Sequence, residues 1–282
     1  MSTTPEPTSG FAEVNGTRLY YEMAGEGYPL VLMHGGIMDN TMWDDQFETF
    51  AQYYRVIRFD LRGFGQSDLP VGPKQYSMRG DLRALLTFLG IDRANILGIS
   101  MAGSIAIDFA LDYPAMVNAL ILVAPGVNGY DSDSVQSEEE KAMFQEIEAA
   151  FESDDLERAI ELETRAWVDG PQRTPEQVDP QVRKRAYNMN LQNNRRAVGI
   201  EWPATQKLTP SAFERLSEIR VPTLLIIGDG DVREQVTLVD VLATNIPGAR
   251  KAVMHGVAHL PNMEHPAEFN QLVLEFLETA IS

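Results

Sequence analysis

The stretch Ile96-Leu97-Gly98-Ile99-Ser100-Met101-Ala102-Gly103 limits the architecture more than any other part of the chain. A β-rich run, residues 94–99, stops at a serine, and an apolar segment of helical period, residues 105–111, begins just after it. Gly98 and Ala102 stand two residues either side of Ser100, the spacing of a nucleophile elbow, G-x-S-x-G, with alanine in the last small position. A strand-to-helix turn this sharp brings its flanks against neighbouring backbone, so large side chains there would collide. The turn strains the serine and holds Oγ clear of the sheet. The helix behind it points the partial positive charge of its unpaired N–H groups at that oxygen. A chain of 282 residues carries roughly 0.2 chance matches to such a pattern, so its weight depends on what else the chain supplies, and in which order.

The rest of the chain supplies a βα rhythm. Asn15-Gly16 between alternating segments is a hairpin signal. Residues 29–33 form an apolar run, as in a strand buried on both faces, and end in His34-Gly35-Gly36. A helical segment around 43–53 follows, then a strand at 56–59 that runs into a loop from Asp60 to Ser67. Leu82, Leu85, Leu86 and Leu89 trace an amphipathic helix stopped by Gly90, and another buried strand spans 119–123. From Pro125 to Leu216 the segments read as helical with no convincing strand. Ser137 to Glu140 reads as a capping box, Asp154 to Glu157 as another helix start, the acidic run 138–140 as a solvated first turn, and Thr209-Pro210 as the start of a short helix. A strand at 222–227 then ends in Gly228-Asp229-Gly230-Asp231, followed by a helix, a strand around 249–254 and a last helix. Buried strands alternating with amphipathic helices predict an α/β fold with a mostly parallel sheet covered on both faces. The expected layout is a disordered lead-in (1–10), a core (11–124 and 217–282) and a helical insertion (125–216) over one edge of the sheet.

Composition removes several classes of function. A net charge of −18 argues against nucleic acid and anionic membranes as partners. No cysteine is present, which excludes disulfides, thiolate catalysis and Cys-based metal sites. No apolar run is long enough to span a membrane, and residues 1–10 lack the basic and apolar regions of a signal peptide, so the expected location is the cytoplasm. Neither a metal nor a cofactor is expected.

Open α/β sheets carry function at the carboxyl ends of their strands. Four such ends bear chemistry here: Ser100, His34-Gly35-Gly36, the loop with Asp229 and Asp231, and the loop with His255 and His259. A serine nucleophile needs a general base, and the base needs an orienting carboxylate. Of the four histidines, His34 sits in a His-Gly turn and reads as structural. His265 precedes Pro266 at a helix start, and His255 at a strand end points sideways. His259, mid-loop, is the best placed to hang over the sheet.

Five segments in this order resemble the α/β-hydrolase fold family: His34-Gly35, the run from Asp60 through Arg62, Gly63 and Gly65 to Ser67, the elbow at Ser100, Gly228-x-x-Asp231, and Ala258-His259 followed by Glu264 and Pro266. The resemblance covers nearly all of the chain outside the helical insertion. It implies an eight-stranded sheet with an inserted all-helical cap. It also implies Ser100 as nucleophile, His259 as base, Asp231 as orienting acid, and an oxyanion hole formed by the N–H groups of Gly36 and Met101. Ala102 and Ala258 stand where many relatives have glycine, and alanine is small enough for both roles. The charged cluster Asp60-Leu61-Arg62-Gly63 reads as a structural loop.

With serine at the elbow, family chemistries that use aspartate there (halide displacement, epoxide opening) are disfavoured. Ile37-Met38-Asp39 replaces the proline expected after His-Gly-Gly in relatives that remove N-terminal proline. The expectation is a serine hydrolase of a small, largely apolar carboxylic ester or lactone. The alternatives are a C–C bond hydrolase of ring-cleavage products, whose oxyanion loop tends to be longer and richer in glycine, and a triad-bearing small-molecule receptor with little turnover. Ile37, Trp43, Trp167 and Trp202 are the candidate pocket residues. For the cap tryptophans, as for Met143 and Phe144, the alternative at helical spacing is cap core.

Overall fold

A computed structural model describes residues 7–72, 75–131 and 135–280. Strands β1 (Thr8–Val14) and β2 (Thr17–Ala24) form a hairpin whose turn residues, Asn15 and Gly16, have φ of 49° and 70°, the twist an Asn-Gly pair accommodates. β2 pairs antiparallel with β4 (Arg55–Phe59). From there β3 (Pro29–Met33), β6 (Ala94–Ile99), β7 (Val117–Val123), β9 (Thr223–Gly228) and β10 (Arg250–Met254) run parallel, giving the order β1-β2-β4-β3-β6-β7-β9-β10. The expected lead-in extends too far inward. Thr8, Ser9 and Gly10 already belong to β1, held by main-chain pairing with Met23, Glu22 and Tyr21 that needs no apolar side chain. Residues 1–6 of that lead-in lie outside the described residues.

The helices are α1 (Asp44–Phe50), α2 (Met78–Phe88), α3 (Met101–Asp112), α4 (Glu138–Glu152), α5 (Leu156–Thr164), α6 (Pro180–Ala197), α7 (Arg233–Asn245), α8 (Pro261–Glu264) and α9 (Pro266–Ala280). Alternate side chains of the central strands feed two cores. Val31, Ile96, Leu120, Leu122 and Leu225 join Leu82, Leu85 and Leu86 of α2 and Leu238 of α7 on one face. Leu30, Leu32, Leu97, Ile121 and Leu224 join Phe47 and Phe50 of α1 and Phe269, Val273 and Phe276 of α9 on the other. Each fully buried aliphatic or aromatic side chain contributes about 1.5–3 kcal/mol, so the strands are fixed from both sides.

Between β7 and β9 the chain passes through α4, α5, a π-helical turn (Arg165–Asp169) and α6. Ser137 and Glu140 form the expected capping box at α4. The stretch expected to be free of strands holds one short exception, β8 (Ala204–Thr205), which pairs with β5 (Gln75–Tyr76) outside the main sheet. Two residues are too few to leave an alternating pattern. Among the described residues, no helix is long and apolar enough to cross a membrane.

Candidate active site

The chain order reverses direction across the sheet between β3 and β6, which opens a crevice at their carboxyl ends. Ser100 stands there with φ 54° and ψ −118°, a left-handed backbone that costs a non-glycine residue about 1–3 kcal/mol. The surroundings hold it in place. Ser100 N–H donates to Val123 O at 2.9 Å, and its carbonyl accepts from Gly103 N–H at 2.9 Å and Gly126 N–H at 3.0 Å. A Cβ at residue 98 would lie 2.5 Å from the Ala102 carbonyl oxygen, and one at residue 103 would lie 2.4 Å from Pro125 Cβ. Smallness is thus required at 98 and 103, while Ala102 fits fully buried. Met101 opens α3, so its N–H has no partner within the helix. Gly36 packs against it: a Cβ there would lie 3.6 Å from Met101 Sδ. Gly36 N–H donates to no backbone carbonyl among the described residues.

His259, after β10, is buried, and its Nδ1 lies 2.8 Å from Asp231 Oδ2. Asp231 Oδ1 accepts from Val232 N–H at 2.8 Å, so both carboxylate oxygens are engaged. His259 Nε2 is left for the Ser100 side, since both residues line one cavity of about 170 Å³. Among the described residues, no hydrogen bond joins Ser100 Oγ to His259, and in such sites this contact commonly tightens only with substrate bound. Asp229, the other carboxylate of this loop, pairs with exposed His255 at 2.8 Å, and the hydrogen bond from that ring holds it below its ordinary value. His34 is buried behind the crevice. Its Nε2 accepts from Leu61 N–H at 2.9 Å, and burial lowers its pKa against the opposing pull of Asp60. That ring is structural. So is Arg62, which makes a buried bidentate pair with Asp81. His265 pairs with Glu268 on α9.

The cavity is walled by Ile37, Met38, Ile99, Leu260 and Trp167 above the two glycines of the His34 loop. Among the described residues, Trp167 is the one residue of the segment between β7 and β9 in that wall, with its ring 4.7 Å from the His259 ring. Two expected pocket residues are elsewhere. Trp43 is fully buried in the core against Phe269, because the helical turn that carries it faces the sheet. Trp202 covers Phe64 and Gly63 on the outside and is 41% exposed. Phe144 stacks on Trp167, away from the wall, and Met143 lines a separate cleft. Met38, Ile99 and Leu260 are wall residues that the sequence reading omits. Their only signal is adjacency, since each lies within two residues of Gly36, Ser100 or His259.

A family model described as the alpha/beta hydrolase fold matches residues 28–266. The chain belongs to that family. It is 32% identical over 289 residues to a 2-hydroxy-6-oxononadienedioate/2-hydroxy-6-oxononatrienedioate hydrolase of Burkholderia vietnamiensis, covering 97% of each chain. Among solved structures it resembles Est816, described as an N-acyl homoserine lactone degrading enzyme, with a TM-score of 0.75, 28% identity, and coverage of 95% of this chain and 100% of that one. A thermophilic esterase from Thermogutta terrifontis shares the fold, with a TM-score of 0.76, 24% identity and coverage of 98% and 100%. Of the segment between β7 and β9, the π-helical turn lies beside the crevice, and its Trp167 carbonyl accepts from His259 N–H at 3.3 Å.

Proposed function

We propose that this protein is a serine hydrolase of small, largely apolar carboxylic esters or lactones, working through an acyl-enzyme. The fold and its relatives support a hydrolase. One observation carries the choice of bond: the cavity at Ser100 is small, and among the described residues His259 is the one titratable side chain in its wall. A short neutral acyl group fits such a space, and apolar walls exclude water from the reacting centre.

In this mechanism Ser100 Oγ attacks the carbonyl carbon while His259 Nε2 accepts its proton. Asp231 fixes the ring's tautomer and stabilises the imidazolium that forms. The carbonyl oxygen, now an oxyanion, is held by the N–H groups of Gly36 and Met101, each worth about 100–1,000-fold in rate. The C–O bond to the alcohol then breaks, and His259 gives its proton to the departing oxygen. Water, deprotonated by His259, attacks the acyl-enzyme, and the acid leaves as Ser100 recovers its proton.

The identity with the Burkholderia vietnamiensis enzyme favours a second reading, C–C bond cleavage. By its printed name, that enzyme's substrate carries two carboxylates. Among the described residues no arginine or lysine lines the cavity, and the chain's net charge of −18 repels dianions. A panel of 4-nitrophenyl esters and lactones of graded length, run beside a dienedioate, decides between them, with Ser100→Ala as the blank. Dienedioate turnover above that of every ester would reverse the order. No turnover of anything above the blank would leave the receptor reading.

A further inference from the structure

We propose that Arg173 is a positioning residue for His259, fastening the cap's π-helical turn to the histidine loop so that the two move as one body; this rests on the hydrolase reading above. The cap chain enters the crevice at a narrow point. Gly170, at φ 77°, follows the π-helical turn, and a Cβ there would lie 2.3 Å from Gly230 O and 3.0 Å from Ala258 Cβ. Those two residues are the immediate neighbours of Asp231 and His259. The cap backbone is thus wedged between the acid loop and the histidine loop.

Arg173 sits three residues further on, with its side chain only 14% exposed. All of its guanidinium nitrogens are used across that junction. Nε donates to Asp169 O at 2.6 Å and Nη2 to Val168 O at 2.8 Å, both in the π-helical turn. Nη1 donates to Gly256 O at 2.8 Å, in the histidine loop. Nη1 and Nη2 also form a bidentate pair with Glu264 at 2.7 and 3.0 Å. Glu264 Oε1 accepts in turn from Ala258 N–H at 2.8 Å, the amide just before His259. Only a planar fork with five donors can satisfy carbonyls and a carboxylate from so many directions, and a lysine ammonium cannot. On the cap side, Asp169 is buried and bonded to Arg183 of α6, so the turn is anchored to the body of the cap.

The consequence is mechanical. The His259 ring has Asp231 on one edge and Trp167 on its face, and both contacts depend on the loop and the turn keeping register. Arg173 touches neither substrate nor Ser100, so its effect passes through His259. A displacement near 1 Å at a reacting group costs about a hundredfold in rate.

Arg173→Lys keeps the charge and the pairing with Glu264 but loses the carbonyl contacts. Well below its melting temperature it should lower kcat on the best short ester about tenfold to a hundredfold, with KM changed less than threefold. The downfield proton resonance of the His259 Nδ1–H, identified by its loss in Asp231→Asn, should broaden or vanish. If Arg173→Lys does not fold, Glu264→Gln, which keeps an acceptor for both partners, should give the same pattern with a smaller drop in kcat. A folded variant that melts earlier but keeps wild-type kcat and the resonance would overturn the proposal and leave Arg173 a purely structural residue. Should wild type fail to exceed the Ser100→Ala blank on any ester, the hydrolase reading falls, while the resonance still tests the clamp.

Discussion

Two aspartate–histidine pairs stand on the same two loops, and each closes at 2.8 Å. Asp229–His255 lies at the surface, with side chains 43% and 83% exposed, whereas Asp231–His259 is enclosed at 0% and 5%. Gly230 N–H donates to Val257 O and Asp229 N–H to Met254 O, so the chain between the two acids is pinned and sends them to opposite sides. Geometry alone therefore does not distinguish them. Environment does: a unit-charge pair at 4 Å is worth about 1 kcal/mol in water and about 4 kcal/mol at an effective dielectric of 20. The inner pair also has the elbow serine on its far side. The outer pair faces solvent and can orient nothing.

The strongest test of this contrast is Asp231→Asn. The amide cannot stabilise the imidazolium and favours the wrong tautomer, so kcat on the best short ester should fall about 10⁴-fold with the fold intact. Steady-state kinetics and circular dichroism check both halves. A loss under tenfold would mean that the outer pair, or no pair, supports the base.

A third carboxylate, enclosed like Asp231, extends the comparison. Asp108 on α3 is 5% exposed and has no histidine. Its Oδ2 accepts from Asn128 at 3.0 Å, and its Oδ1 is buried without a hydrogen-bond partner among the described residues. Burial pushes its pKa from 3.8 up to about 6. The folded state thus holds this proton more tightly than the unfolded chain does. Below the unfolded value the site costs nothing, and as pH rises through about 6 ionisation withdraws stability. Asp108→Asn should therefore raise stability by about 1–3 kcal/mol at pH 7 and by much less near pH 4. Denaturant midpoints at the two pH values measure it. An equal gain at both would show that packing, not ionisation, sets the cost.

How much of this is legible in the sequence depends on the range of each interaction. The elbow at Ser100 and the G-x-x-D spacing at Asp231 each end a strand of apolar run, and the loop at His259 follows the last strand, so topology brings all three to one edge. The hairpin at Asn15-Gly16 is equally local. Trp43 is not in the expected pocket because its position in the sequence does not give the phase of the turn that carries it, and that phase turns the ring into the core. Thr8 to Gly10 look like lead-in because an edge strand is held by main-chain bonds that leave no apolar pattern. Arg173 leaves no trace at all: three of its acceptors are backbone carbonyls, and the fourth is Glu264, 91 residues away.

The tryptophans of the segment between β7 and β9 offer a smaller effect. Trp167→Ala enlarges the cavity beside His259 and should shift preference toward bulkier acyl groups by about tenfold, within the range of one or two methylenes of pocket space. Trp202→Ala, outside the wall, should leave the ranking of the ester panel unchanged. If Trp202 alters the ranking and Trp167 does not, the substrate enters from the Phe64 side and the cavity at Ser100 is not its seat.

The smallest expected effect falls on the outer pair. Asp229 accepts from His255 and from Gly256 N–H at 2.8 Å, and both contacts face water, where solvent competes for each partner and salt screens the charge. Asp229→Asn keeps an acceptor for Gly256 and removes the charge and the oxygen facing His255, both exposed to water, so stability should change by no more than about 0.5 kcal/mol. Turnover should stay within about twofold of wild type, because the amide oxygen still accepts from Gly256 N–H and leaves the histidine loop in place. Thermal melts at low and high salt, together with kcat on the short ester, read both quantities. A loss of activity approaching that of Asp231→Asn would mean that the acid has been assigned to the wrong side of Gly230. A salt-independent loss of stability would instead mean that Asp229 holds the loop through its bond to Gly256 and not through its charge.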